Sequence, residues 1–199
     1  LKTMNGRLGI VGGLSVLGTT GVVIPYSCAS WIHAIHRGVD VARAGGLTHI
    51  AAATGSTSEK AVKDLYGLPD MALIDMGDFA GGLLKYLRRH PVAQLTLAGG
   101  FGKLAKLAQG NLDLHSARSS LDMARLAQLA SDDPALAAGI AAANTGMEAL
   151  QLAQAAGAPL ADRVAKGARE VALAALAGDV AVEVLVFDRK GNLAGRADG

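Results

Sequence analysis

The chain has 199 residues, 51% hydrophobic and 18% charged, which is enough apolar content to bury a core as one domain or as a domain with an appendage. Its formal net charge is only +2, with the basic residues spread along the chain, which argues against nucleic acid as the main partner. The single cysteine, Cys28, excludes an internal disulfide framework and a cysteine-clustered metal site and fits a reducing cytoplasm.

No apolar run is long enough to cross a bilayer, and Leu1 to Gly6 has no signal-peptide core, so a soluble, cytoplasmic protein without membrane partners is expected. The first residue is not methionine, which points to a processed chain or a piece of a longer one.

Arg7 to Val11 is a short apolar run ending in glycines, as a buried strand would be. A loop rich in glycine and threonine follows, from Gly12 to Gly21. Ser27 is placed to cap a helix running to about Ala44, with Trp31, Ile32, Ile35, Val39 and Ala42 at helical spacing and Gly45-Gly46 as its stop. Leu47 to Ala53 is the next strand and Thr54-Gly55-Ser56 the next loop. Ser56 and Glu59 have the spacing of a capping box for a helix through Tyr66. Met71 to Ile74 is a third strand, followed by Asp75-Met76-Gly77-Asp78 and a helix. Lys85, Arg88, Arg89 and His90 at that helix's end suit the negative pole of its dipole, and Pro91 stops it. Gln94 to Ala98 is a fourth strand, with Gly99-Gly100-Phe101-Gly102 as its loop and a helix from about Lys103 to Gln109.

Strand, glycine loop and helix thus recur four times, the pattern of a parallel sheet with crossover helices. From Ser119 to Gly178 the composition turns to alanine and leucine, with helix starts at Ser120, Asp133-Pro134, Thr145 with Glu148, and Pro159. Val180 to Phe187 is a strand that turns through Asp188 to Asn192 into Leu193 to Arg196. The expected architecture is α/β: a parallel Rossmann-like sheet with crossover helices, a helical section and a carboxyl-terminal β-hairpin. Its expected divisions are an α/β ligand-binding core at 1–118, a helical section packed on it at 119–178, and a hairpin completing the sheet at 179–199.

Ligands of open parallel sheets bind at the carboxyl ends of the strands. Gly12 to Gly21, Thr54 to Ser58, Asp75 to Asp78 and Gly99 to Lys103 all fall there, and their glycines, small hydroxyls, acids and lysine suit a ligand edge. The glycines at 9, 12, 13, 18 and 21 contain no dinucleotide fingerprint, and Thr19 stands where a phosphate loop needs lysine. His33 and His36 share a helix face but lack further ligands, so they read as structural histidines, and Cys28 as packing. Lys103 opens a helix at the unfavourable pole of its dipole, so it either meets an anionic oxygen of a ligand or reaches into solvent.

The stretch Gly9-Ile10-Val11-Gly12-Gly13-Leu14-Ser15-Val16-Leu17-Gly18-Thr19-Thr20-Gly21, continued by Pro25-Tyr26-Ser27, closely resembles the central motif of the CbiD family, the cobalt-precorrin-5B (C1)-methyltransferases of cobalamin biosynthesis. Thr54-Gly55-Ser56, Met76-Gly77-Asp78-Phe79, and Gly102-Lys103-Leu104-Ala105-Lys106-Leu107-Ala108 with Asp113-Leu114-His115-Ser116 agree in the same order. The likeness is specific over about residues 5 to 118, general beyond, and makes the chain look like the carboxyl-terminal portion of such an enzyme.

The resemblance implies methyl transfer from S-adenosylmethionine to ring carbon C1 of a cobalt-containing tetrapyrrole, in the cytoplasm, and leaves monomer and homo-oligomer both open. It implies donor contacts from Gly13, Thr19, Thr20, Thr54, Gly55, Ser56, Asp75, Gly77, Gly99, Gly100, Gly102 and Lys103, and Asp78 as the base. Arg37, Arg43, Lys103 and Arg118 are the implied cations for an acidic macrocycle. The competing expectations are a nucleotide-binding oxidoreductase and a non-catalytic tetrapyrrole-binding fragment.

Overall fold

The computed structural model describes residues 11–12 and 27–198. The strand expected at Arg7 to Val11 and the Gly12 to Gly21 loop, with Gly13, Thr19 and Thr20, therefore lie almost wholly outside the described residues.

Helix α1 (Cys28–Ala44) starts as its sequence predicts, with the Ser27 hydroxyl accepting from the Ser30 amide, and stops at Gly45. It is followed by β1 (His49–Ala53), α2 (Ser56–Tyr66), a 3-10 turn at Asp70–Ala72, β2 (Leu73–Asp75), α3 (Ala80–Leu87), β3 (Gln94–Gly100) and α4 (Phe101–Ala108). The alanine-rich stretch forms α5 (Met123–Gln128), α6 (Pro134–Ala142), α7 (Gly146–Ala155) and α8 (Leu160–Leu176), before β4 (Ala181–Phe187) and β5 (Leu193–Ala197).

The five strands form one sheet in the order β2-β1-β3-β4-β5. All neighbours are parallel except the β4–β5 hairpin. Side chains alternate across the sheet, as the pleat requires. Ile50, Leu95, Leu97, Val182, Val184 and Val186 enter the larger core under α1, α3, α4 and α8, while Ala51, Ala53, Ala98, Leu185 and Phe187 enter a smaller one with Val62 of α2. Gly195 lets β5 run against the start of α8: a Cβ there would lie 2.4 Å from the Ala161 carbonyl carbon.

Three expected starts differ in detail. Gly55, not Ser56, occupies the N-cap of α2, which has no side-chain cap; instead the Ser58 hydroxyl donates to the Gly55 carbonyl at 2.9 Å. Gly99 and Gly100 remain in β3, and Phe101 and Gly102 already belong to α4, so strand passes into helix without the separate glycine loop. Asp122 rather than Ser120 caps α5, because its carboxylate reaches the Arg125 amide at 3.0 Å. Asp133 before Pro134 caps α6 as expected. Thr145 caps α7, and Glu148 answers by accepting from the Asn144 amide, one residue outside the usual box.

Candidate functional site: a crevice at the strand-order reversal

The chain leaves β1 through α2 on one face of the sheet and leaves β3 through α4 on the other. Adjacent parallel strands whose connections diverge in this way leave a crevice at their carboxyl ends. A cavity of about 800 Å³ opens there, within the range of small-molecule sites. Its lining comes from Thr54 to Ser58 after β1, Gly100 to Lys103 where β3 passes into α4, Thr145 and Met147 at the start of α7, and Phe187 to Arg189 at the end of β4 and just beyond.

The crevice receives helix starts rather than reactive side chains. Neither α2 nor α4 has a side-chain cap, so their first-turn amides remain donors at its wall. Together with the positive ends of the two dipoles, these amides form a setting for a carboxylate or phosphate. A Cβ added at Gly55, Gly100 or Gly102 would meet nothing within 4 Å, so these glycines leave room beside the backbone. Gly99 has the opposite reason: its Cβ would fall 2.9 Å from Cγ2 and Oγ1 of Thr54, and glycine allows β1 and β3 to close there.

Lys103 resolves its unfavourable position within the protein. Its ammonium donates to the Thr54 carbonyl at 2.8 Å and lies 3.1 Å from Asp78 Oδ1. The Asp78 contact is an ion pair without hydrogen-bond alignment, so buried Oδ1 retains unused acceptor capacity. One cation thus ties together the segments following β1, β2 and β3. Neither alternative from the sequence, a ligand oxygen or free solvent, is needed to account for it.

Of the expected donor contacts, Thr54, Gly55, Ser56, Gly100, Gly102 and Lys103 line the crevice, whereas Asp75, Gly77 and Gly99 do not, and neither does Asp78, the expected base. The Asp75 carbonyl accepts from Trp31 Nε1 at 3.1 Å. Gly77 adopts φ +54° beneath the same indole, where a Cβ would lie 3.1 Å from a ring carbon. Both belong to the docking of α1.

Thr145, Met147 and Arg189 were not anticipated. Thr145 and Met147 reach the crevice because the start of α7 packs against Phe101 and Gly102 of α4, and Arg189 because β4 pairs with β3. Asp188 shapes that turn. Burial opposes its ionisation, but the Asn192 side chain and the amides of Asn192, Lys190 and Gly191 hold its carboxyl below the usual range. No grouping of three or more histidine, cysteine or acidic side chains suited to a metal occurs among the described residues. No described helix is long and apolar enough to cross a membrane.

The family model described as "CbiD, C-terminal domain" matches residues 113–198, and the model described as "CbiD" matches residues 1–25. A cobalt-precorrin-5B C(1)-methyltransferase of Bradyrhizobium sp. is 61% identical over all of this chain and 54% of its own length. The chain belongs to the CbiD family. Proteins of the same description from Methylorubrum extorquens and Burkholderia ambifaria are 60% and 59% identical, over 96% and 99% of this chain and 54% and 55% of theirs. The chain spans about half the length of these curated relatives. The CbiD likeness also extends specifically through the helical section and the hairpin, further than the motifs up to residue 118 indicated. No solved structure matches.

Proposed function

We propose that the chain is the part of a cobalt-precorrin-5B C(1)-methyltransferase that holds S-adenosylmethionine, with the donor in the crevice between the ends of β1 and β3. The supporting observation is the convergence of two uncapped helix starts and the open backbone at Gly100 and Gly102 on one cavity.

Bound there, S-adenosylmethionine supplies a methyl group already activated by its sulfonium. The protein's contribution is then position and exclusion of water rather than nucleophilic side-chain chemistry. The amides of α2 and α4 bind the donor carboxylate, Thr54 and Ser56 offer hydroxyls to its polar edge, and Phe101, Met147 and Phe187 form the apolar wall. Asp78, held beside the crevice by Lys103, is the proposed acceptor of the proton released from the macrocycle, with its under-used Oδ1 as acceptor capacity.

Methyl transfer from labelled S-adenosylmethionine to cobalt-precorrin-5B, assayed with this chain and with a form of the relatives' full length, tests the reading. Label on C1 in either form supports it. Calorimetric binding of NAD with no response to S-adenosylhomocysteine would replace it with the oxidoreductase alternative. Porphyrin binding with no transfer by either form would leave a tetrapyrrole-binding module.

A further inference from the structure

A second and larger cavity, of about 1160 Å³, lies between α1, α3 and the segment carrying Leu112 to Arg118. It begins at Phe79, the residue after Asp78, and follows α3 toward the opposite end of the sheet.

The groove gathers three unpaired cations on one wall, whereas Arg189 and Lys190, whose side chains are also without a partner among the described residues, line other surfaces. Elsewhere Lys60, Lys63, Lys103, Arg163 and Arg196 pair with carboxylates, and Arg43, Lys106 and Arg169 donate to backbone carbonyls. Lys85, Arg88 and Arg89 are exposed at the groove, and their side chains have no hydrogen-bond or ion-pair partner among the described residues. The acids nearby are already engaged: Asp113 binds Arg118 at 2.8 Å, and Asp40 accepts from the Tyr86 hydroxyl at 2.6 Å and pairs with Arg37. A favourable helix dipole accounts for cations at the end of α3. It does not account for their clustering on the wall of a cavity of this size.

The same wall carries a column of stacked rings. Tyr86 stacks on His36 with centroids 4.0 Å apart and planes at 10°, and on His90 at 4.1 Å and 19°. The column is held by His36 Nε2 donating to the Gly82 carbonyl and His90 Nδ1 donating to the Tyr86 carbonyl.

We infer that this groove is a second ligand site, built for a flat molecule carrying several carboxylates. An end ring of the column stacks on the ring system, and Lys85, Arg88 and Arg89 take the acid groups, the arginines as two-pronged donors. Of the cations expected to serve an acidic macrocycle, Arg37, Arg43 and Lys103 are occupied elsewhere and only Arg118 faces the groove. A nucleic acid is disfavoured because Lys85, Arg88 and Arg89 form one short cluster rather than a track. The groove's selectivity stands on its own residues; its physiological ligand, the precorrin, rests on the proposed function.

The test is titration of the full chain with uroporphyrin, a flat octacarboxylic ring, followed by its Soret band. The controls are a cationic pyridyl porphyrin and a single-stranded oligonucleotide. Uroporphyrin should bind, more weakly as salt is raised, and the controls should not. The double variant Arg88→Ala/Arg89→Ala should lose about tenfold in affinity while keeping its thermal midpoint, and Arg88→Lys/Arg89→Lys should lose clearly less. Unchanged affinity in the alanine variant, equal binding of the cationic ring, or preference for the oligonucleotide would overturn the inference.

S-adenosylhomocysteine binding, measured on the same variants, separates the two sites. Its retention alongside lost uroporphyrin binding supports two sites. If it binds while uroporphyrin does not, the groove assignment fails and the donor reading stands; the reverse outcome removes the donor reading alone.

Discussion

Lys103 Nζ lies 3.1 Å from Asp78 Oδ1 and 2.8 Å from the Thr54 carbonyl oxygen, so one side chain at the start of α4 ties together the ends of three parallel strands. The Lys103 side chain is 39% exposed and that of Asp78 24%, which limits the pair's worth to stability. The consequence is chiefly geometric, because two of the three segments, those after β1 and after β3, wall the crevice.

Lys103→Met should cost about 1 kcal/mol of unfolding free energy and weaken S-adenosylhomocysteine binding by more than that loss alone implies. Asp78→Asn should keep donor binding and lower the methyl-transfer rate if the carboxylate takes the proton. Urea unfolding, calorimetry and single-turnover assay check the pair; donor affinity unchanged in Lys103→Met would separate the strut from the site.

Gly99→Ala should destabilise the protein by about 1–3 kcal/mol, because its methyl would collide with Thr54 across the β1–β3 seam. A thermal midpoint within experimental error of wild type would show that Thr54 can yield.

Gly195→Ala faces backbone rather than a side chain, with the Asp162 amide nitrogen 2.6 Å and the Ala161 carbonyl carbon 2.4 Å from the added atom. It should cost about 3 kcal/mol or more and free the hairpin from α8. Hydrogen exchange should show β5 amides losing protection first.

The buried carboxylate of Glu183 gives a pH-dependent prediction. It accepts from the Tyr66 hydroxyl at 2.7 Å and from Thr96 at 2.9 Å and pairs with Arg196, while His49 Nε2 lies 2.8 Å from Thr96 Oγ1. Burial first, and then the bond to Glu183, push the Tyr66 phenol up to about 12. Its contribution to stability is therefore complete below pH 10 and is lost as pH rises through about 12. Tyr66→Phe should flatten alkaline unfolding across that interval and cost about 1 kcal/mol at pH 7. On the acid side, burial lowers the His49 pKa despite the opposing pull of Glu183, so its contribution is present above 6.5 and falls below it. Unfolding free energies measured over both ranges check the two signs.

Much of this fold was legible because its signals are local. Ser27, Asp133-Pro134 and Thr145 mark helix starts by satisfying amides a few residues away, and the glycines after the strands mark the sheet's carboxyl edge. Ser56 with Glu59 misled because Gly55 already fits the cap and Ser58 satisfies the Gly55 carbonyl. The site was legible to the extent that its walls follow β1 and β3. Lys103 stood out as an electrostatic anomaly, yet its partner lies 25 residues earlier and only packing brings them together. Arg189, Thr145 and the cationic groove depend on strand order and helix pairing, which one stretch of sequence does not carry. An acid inside the apolar run Val182-Glu183-Val184 was the visible sign of the Glu183 network.

The most direct measurement is calorimetric titration of S-adenosylhomocysteine into the chain and its Gly100→Val variant. Gly100 has φ −69° and a Cβ position with open space around it, so valine should project into the cavity beside the α4 amides without displacing backbone. Saturable one-to-one binding by the native chain, abolished in a variant whose circular dichroism is unchanged, is the predicted result. Equal affinity in the two proteins would contradict the placement of the methyl donor between β1 and β3.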